Sequence, residues 1–359
     1  MEEWVSVIKR VYDRDVSEDD ILTCIDTVSK NTLVPPSFVV DVMDELLRQH
    51  SYGFLENFYN SCYMDSVLYA LLITPNNFID KLLTKRLKND ISGCTIKIRT
   101  QIQKQLLQLR SALQTGVSMK CINFRNLLTQ CTPTQFENFG DRGSKDADEF
   151  LKFLFYILDA DDGENKQITY GTNSVATNVN KRFLVESSTT IIKDASPIFD
   201  INYQLIKGEK YTTIQKLIAT ADDSGELDTP LKIGTCKFNR RIQYNFPYKH
   251  KFLVIHLQRK SPDKKFNKKF VLPNLKLKLE GGNVLLLRAI IIWKNNHYTL
   301  MLRSSPLPSE RLSDESPSEW LYFNDIDPIR KLISIGSYKD MVKYADNLVL
   351  TNGTLFFYY

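Results

Sequence analysis

Among the six cysteines and four histidines of this 359-residue chain, one cysteine stands apart. The stretch Asn57-Phe58-Tyr59-Asn60-Ser61-Cys62-Tyr63-Met64-Asp65-Ser66 sets Cys62 between a polar turn and an apolar run. That run (Met64, Val67, Leu68, Leu71, Leu72) repeats at helical spacing. A thiol at a helix start feels the positive end of the dipole, which favours the nucleophilic thiolate. Asn57, upstream, carries an amide able to donate to a developing oxyanion. This is the pattern of a cysteine hydrolase, which needs a base and a third group to orient it.

The base must come from His50, His250, His256 or His297. His50 ends a polar helix and reads as solvated. His250 lies in a Tyr-Lys-His-Lys turn, and His256 sits inside the apolar strand Leu253–Leu257, where a satisfied structural histidine is the plainer reading. His297 follows Asn295-Asn296 and begins a strand, a place from which a side chain reaches a cleft. Asn324 and Asp325 end the alternating run Trp320-Leu321-Tyr322-Phe323. Either can accept from an imidazole and fix its tautomer, although spacing alone is better explained by an ordinary Asn-Asp turn.

The elements that must position these groups fall into two blocks. Residues 1–50 read as a helical extension. Val5, Ile8, Val11 and Tyr12 keep helical spacing, Ser17-Glu18-Asp19-Asp20 resembles a capping box, and Ser37 follows Pro35-Pro36 as a cap. From 62 to about 159 the chain stays mainly helical, with Ile102, Leu106 and Leu109 in a Gln- and Lys-rich helix. Asp146-Ala147-Asp148-Glu149-Phe150 opens another helix, its acids favourable to the dipole. Later the period changes. Strands are expected near 183–185, 189–192, 199–203, 252–257, 284–292, 298–302 and 355–359, with a short helix at 212–218. Helices first and strands later indicate an α+β domain. Asp159–Gly163 and Ser304–Ser318 read as loops.

Composition narrows the class. With 43% hydrophobic residues the chain can bury a sizeable core, and a net charge of +5 is mild. No dense Arg/Lys tract with interleaved aromatics points to nucleic acid. The basic run Lys260–Lys269 reads as a solvated hairpin tip. No apolar run approaches a membrane span, so the expectation is no membrane and an intracellular, cytoplasmic or nuclear, location. The cysteines form no CxxC pair, which argues against a structural zinc site and a disulfide framework; reduced cysteines are expected.

Taken in order, the cysteine box at 57–66, the acidic helix Asp146-Ala147-Asp148-Glu149-Phe150-Leu151, the strand Phe252-Leu253-Val254-Ile255-His256-Leu257-Gln258-Arg259, Asn296-His297-Tyr298-Thr299 and Trp320-Leu321-Tyr322-Phe323-Asn324-Asp325 resemble the boxes of the ubiquitin-specific protease family of cysteine deubiquitinases. The resemblance implies a papain-like catalytic domain over 51–359, with a thumb of helices, a palm of strands and fingers. It implies Cys62 as nucleophile, His297 as base, Asn324 as the orienting group, Asp325 as a polarising neighbour and Asn57 as the oxyanion-hole amide. Asp146 and Glu149 match acids that contact the arginines of the ubiquitin tail. Ubiquitin or ubiquitinated proteins are the implied partners, with residues 1–50 packing on the domain or contacting another protein, and no cofactor. A protease for another ubiquitin-like modifier, or a non-catalytic ubiquitin-binding module, are the alternatives. The chain departs from the family pattern at Tyr59 and Asn296, where Gly is usual, at Asp65, where Asn is usual, and at Ser144-Lys145, where a glutamine usually precedes the acidic box. The zinc-binding CxxC pairs of the fingers are missing, so short, metal-free fingers are expected.

Overall fold

The computed structural model describes residues 52–74, 76–160, 197–203, 206, 211–220, 252–261, 263–279, 284–304, 319–326 and 332–359, together with the backbone of 173–178, 181–184, 221–223, 225–233 and 236–242. The expected helices of 1–50, the strand at 189–192, His50 and His250 lie outside the described residues, as does most of both expected loops.

Among the described residues five helices come first: α1 (Cys62–Leu72), α2 (Asn77–Thr84), α3 (Ile96–Gln114), α4 (Ile122–Leu128) and α5 (Ala147–Ile157). Every residue of α1 is buried, the behaviour of a helix that is apolar on all sides and runs through a core. Caps are local: Asn76 accepts from the N–H groups of Phe78 and Ile79 to start α2, and Thr95 accepts from Ile98 N–H to start α3.

The strands that follow build three sheets. A four-stranded sheet runs in the order β2 (Lys181–Leu184), β1 (Asn173–Asn178), β6 (Cys236–Ile242), β5 (Gly225–Ile233). A two-stranded one joins β4 (Tyr211–Thr213) to β8 (Phe270–Leu272). The main sheet contains β13 (Ile333–Gly336), β12 (Trp320–Phe323), β11 (His297–Arg303), β10 (Val284–Lys294), β14 (Gly353–Tyr358), β7 (Leu253–Leu257) and β3 (Ile198–Ile201) in that order, with β9 (Lys276–Lys278) on β10. The β3–β7 pairing is parallel; the other pairings of this sheet are antiparallel.

Both faces of the main sheet are covered, which is why β10 and β14 read as nearly continuous apolar runs. Ala289, Ile291, Leu355 and Phe357 point to the core shared with α1, α3 and α5. Their alternates Ile290, Ile292, Phe356 and Tyr358 point to a second core with α6 (Ile214–Asp223) and α7 (Tyr338–Asn352). A block of helices before the strands, a palm of strands with helices on both faces and a smaller separate sheet make the α+β, papain-like arrangement the resemblance implied.

Two features differ from the sequence reading. The cysteines are not all reduced, because Cys94 and Cys131 form a disulfide. Separated by 37 positions, they make no recognisable spacing; the fold brings them together where Thr132 N–H donates to Gly93 O. The helix α7 was also unforeseen. Its helical period is broken at Tyr344–Asn347, where the backbone leaves helical angles.

Candidate active site

The nucleophile turn is built from residues that accept an unusual backbone. Tyr59 and Asn60 have φ of 52° and 57°, a left-handed geometry that costs a residue with a Cβ roughly 1–2 kcal/mol. The Tyr59 position thus keeps the conformation for which glycine is suited, and the surroundings hold it. Buried Arg125, from α4, donates Nη1 to the carbonyls of Phe58 and Tyr59 and Nε to Asp141 O. The Arg142 guanidinium lies 4.1 Å from the Tyr59 ring centre. Ser61 Oγ accepts from Phe58 N–H at 2.8 Å and donates to Asp65.

Cys62 then opens α1 with only 4% of its surface exposed. Burial pushes its thiol up to about 11, assisted by the Asp325 charge; the Tyr298 N–H, which hydrogen-bonds the thiol, and the Tyr63 N–H oppose it. The dipole argument from sequence therefore loses to desolvation and the neighbouring Asp325 charge. The resting group is a thiol, and a base must take its proton.

His297 is one residue from the N–H that touches this thiol. The turn that presents it, Asn295-Asn296, has φ of 53° and 61° and joins β10 to β11 with Lys294 paired to His297. Two left-handed residues form the tight connection that suits strand twist, and asparagine tolerates it nearly as well as glycine. His297 Nε2 lies 2.8 Å from Asn324 Oδ1 and 3.5 Å from Asp325 Oδ1. An Nε2–H donating to Asn324 leaves Nδ1 as the lone-pair nitrogen, the one able to accept a proton.

Asn324 and Asp325 follow β12, which pairs with β11, so sheet register carries them to the histidine. Asn57 is joined to the same turn twice: its backbone N–H donates to Asp325 O at 3.2 Å and its Nδ2 to Asp325 Oδ2 at 2.7 Å. One amide hydrogen is thus committed to Asp325 and the second is left for another acceptor. The structure brings Cys62, His297, Asn324, Asp325 and Asn57 into one place from three separate segments.

An open cleft lies beside this point and meets it at Tyr298, the neighbour of His297; Asp146, Glu149, His256, Lys260 and Trp293 are among its other lining residues. Asp146 accepts from Tyr298 Oη at 2.9 Å and pairs with Lys260 at 3.4 Å, while Lys260 sits 4.6 Å from the Trp293 ring centre. Burial, with the Asp148 charge behind it, pushes Glu149 up. His256 is held by Asp200 at 2.6 Å, with Asp148 at 3.6 Å, which agrees with the structural role read from its strand. Arg259, fully buried, donates to the carbonyls of Gly353, Asn267, Lys269 and Leu350 and so ties the basic hairpin to β14 and α7. No group of three or more His, Cys, Asp or Glu side chains placed to hold a metal occurs among the described residues.

Sequence reasoning passed over Asp65 and Arg125. Asp65 stood inside the cysteine box but its partners lie far along the chain; Arg125 carried no signal, because its partners are main-chain carbonyls.

Known proteins extend the picture. The family model described as ubiquitin carboxyl-terminal hydrolase matches residues 54–327. No curated protein matches the chain in sequence. Among solved structures the chain is similar to one of the SAGA DUB module Ubp8/Sgf11/Sus1/Sgf73 bound to monoubiquitin, at 15% identity and a TM-score of 0.56, covering 91% of this chain and 75% of that one.

Proposed function

We propose that this chain, a cysteine-type deubiquitinating enzyme because it belongs to the ubiquitin carboxyl-terminal hydrolase family, cleaves isopeptide or peptide bonds at the C-terminus of ubiquitin with Cys62 as nucleophile. The observation that carries the assignment is the pairing of His297 Nε2 with Asn324 at 2.8 Å, one residue from the Tyr298 N–H that holds the Cys62 thiol.

The chemistry follows from that geometry. His297 Nδ1 takes the thiol proton as Sγ attacks the carbonyl carbon, so that the resting thiol becomes a thiolate only as the C–S bond forms. The oxyanion is received by the Cys62 N–H and the second amide hydrogen of Asn57. His297 returns the proton to the leaving amine, a lysine ε-amine when the bond is isopeptide, and water releases the acyl group. Asn324 keeps the imidazole in the productive tautomer, and the Asp325 charge supports the imidazolium. The ubiquitin tail, arginine-bearing and ending in two glycines, fits a cleft whose mouth carries Asp146 and Glu149.

A ubiquitin vinyl sulfone tests the reading. The wild-type protein should form a covalent adduct, Cys62→Ala none, and Cys62→Ala should still bind ubiquitin. Adduct formation by Cys62→Ala, or reaction with another ubiquitin-like modifier in preference to ubiquitin, would overturn it.

A further inference from the structure

Two buried acids lie beside each other behind Cys62. Asp65 is fully buried and Asp325 is 4% exposed, and each carboxyl acts directly on the other. Each has one oxygen otherwise engaged: Asp65 Oδ2 accepts from Ser61 Oγ, and Asp325 Oδ2 accepts from Asn57 Nδ2. The remaining oxygen of each, Oδ1, has no conventional donor. An ionised carboxylate only accepts, so these two buried, donor-less oxygens can satisfy each other only if one carboxyl carries a proton.

The surroundings decide which acid holds it. Asp65 faces Cys62 and Tyr63 on its own helix, the Cys121 thiol just before α4, and Asp325 from the turn after β12, while Arg125 of α4 acts on Tyr63 and Cys121. Cys121 is hydrogen-bonded to Asp65. Arg125 spends its donors on the carbonyls of residues 58, 59 and 141. Among the described residues no Lys or Arg is ion-paired with either acid. Burial raises Asp325 as well, but it has the His297 imidazole at 3.5 Å and the Asn57 amide at 2.7 Å, both of which favour its charge.

We propose that Asp65 is a positioning residue, a neutral carboxylic acid that donates its proton to Asp325 and thereby keeps that carboxylate charged and aimed at Asn57 and His297. Two adjacent buried carboxyls cannot both ionise cheaply, and burial with the Asp325 charge raises Asp65 far above the ordinary carboxylate range. The proton belongs to the pair. One acid is thereby made into a hydrogen-bond donor for the other without importing a cation into a dry site. The proposal rests on the assignment of His297 and Asn57 above, but its first readout does not.

That readout is carboxyl carbon NMR on the wild-type protein labelled at aspartate Cγ. One aspartate should keep the chemical shift of a protonated acid at pH 7, and Asp65→Asn should remove that resonance. With all aspartates ionised at pH 7, or with the resonance surviving Asp65→Asn, the proposal falls. In turnover, Asp65→Asn should keep kcat within about 3-fold, because the amide still donates to Asp325. Asp65→Leu should lower kcat roughly 10- to 100-fold with KM unchanged, since an acceptor is left unpaired. Full kcat in Asp65→Leu would also overturn it. Cys62→Ala separates the two claims: retained turnover with the protonated resonance in place would remove the catalytic reading and leave the shared proton standing.

Discussion

The two ends of the cleft follow opposite rules. At the inner end Cys62, Asp65 and Asp325 are almost wholly buried, and one oxygen of each acid has a defined partner, Ser61 for Asp65 and Asn57 for Asp325. At the outer end Asp146 and Lys260 are about half exposed, and their ion pair spans 3.4 Å. A buried hydrogen bond that loses one member strands the other without water, so the inner end is intolerant of change. An exposed pair contributes little to stability, so its members can exchange one another for a ligand. The difference separates chemistry from recognition along one groove: the dry end fixes protonation states, and the wet end offers charge.

The sharpest way to break this contrast is Asn57→Ala. It removes an oxyanion donor and leaves Asp325 without its amide partner, and kcat should fall by about 10²- to 10³-fold while ubiquitin affinity holds. An equal loss of affinity would place Asn57 among the binding residues. The second test reads the inner end's dryness. In His297→Ala, where no base assists, iodoacetamide labelling of Cys62 should climb only as pH approaches about 11. Ionisation is resisted in the folded protein and not in the unfolded chain, so the raised thiol also withdraws stability as pH rises from about 9 toward about 11. A labelling midpoint below 9 would mean that the dipole, not burial, governs the thiol.

The disulfide supplies a control that should touch neither end. Cys131→Ser should lower unfolding stability by about 2–4 kcal/mol in urea melts, with kcat unchanged. A fall in kcat would mean that the loop at 89–95 reports to the nucleophile turn. The smallest effect is expected at the rim: Asp146→Lys should raise KM for a ubiquitin substrate by about 10-fold and leave kcat alone. An unchanged KM would detach recognition from this residue.

Much of the candidate site was legible because its members occupy local patterns. Cys62 stood at a polar-to-apolar junction, His297 at a strand start, and Asn324 at the end of an alternating run. What could not be read was pairing across the fold. Nothing around Asp65 announces that its carboxyl meets Asp325, and nothing around Asn57 announces that half its amide is already engaged. Cys94 and Cys131 are likewise joined by topology, not spacing. The thiol's ionisation was misjudged for a related reason: the dipole is a local feature of sequence, whereas the burial that outweighs it comes from β11 and the turn after β12. Helix α7 was missed because its apolar period is interrupted at 344–347.

The position of β14 in the middle of the main sheet has a consequence in time. It is flanked by β10 and β7, yet its residues, 353–358, are synthesised long after Cys62. At translation rates of about 5–20 residues per second, the nucleophile waits on the order of tens of seconds before β10 and β7 have the strand that lies between them. Until then β10 lacks its partner on one side, and β11 hangs from an incomplete sheet with His297 at its tip. A nascent chain thus carries Cys62 early and gains His297, with the sheet that holds it, late.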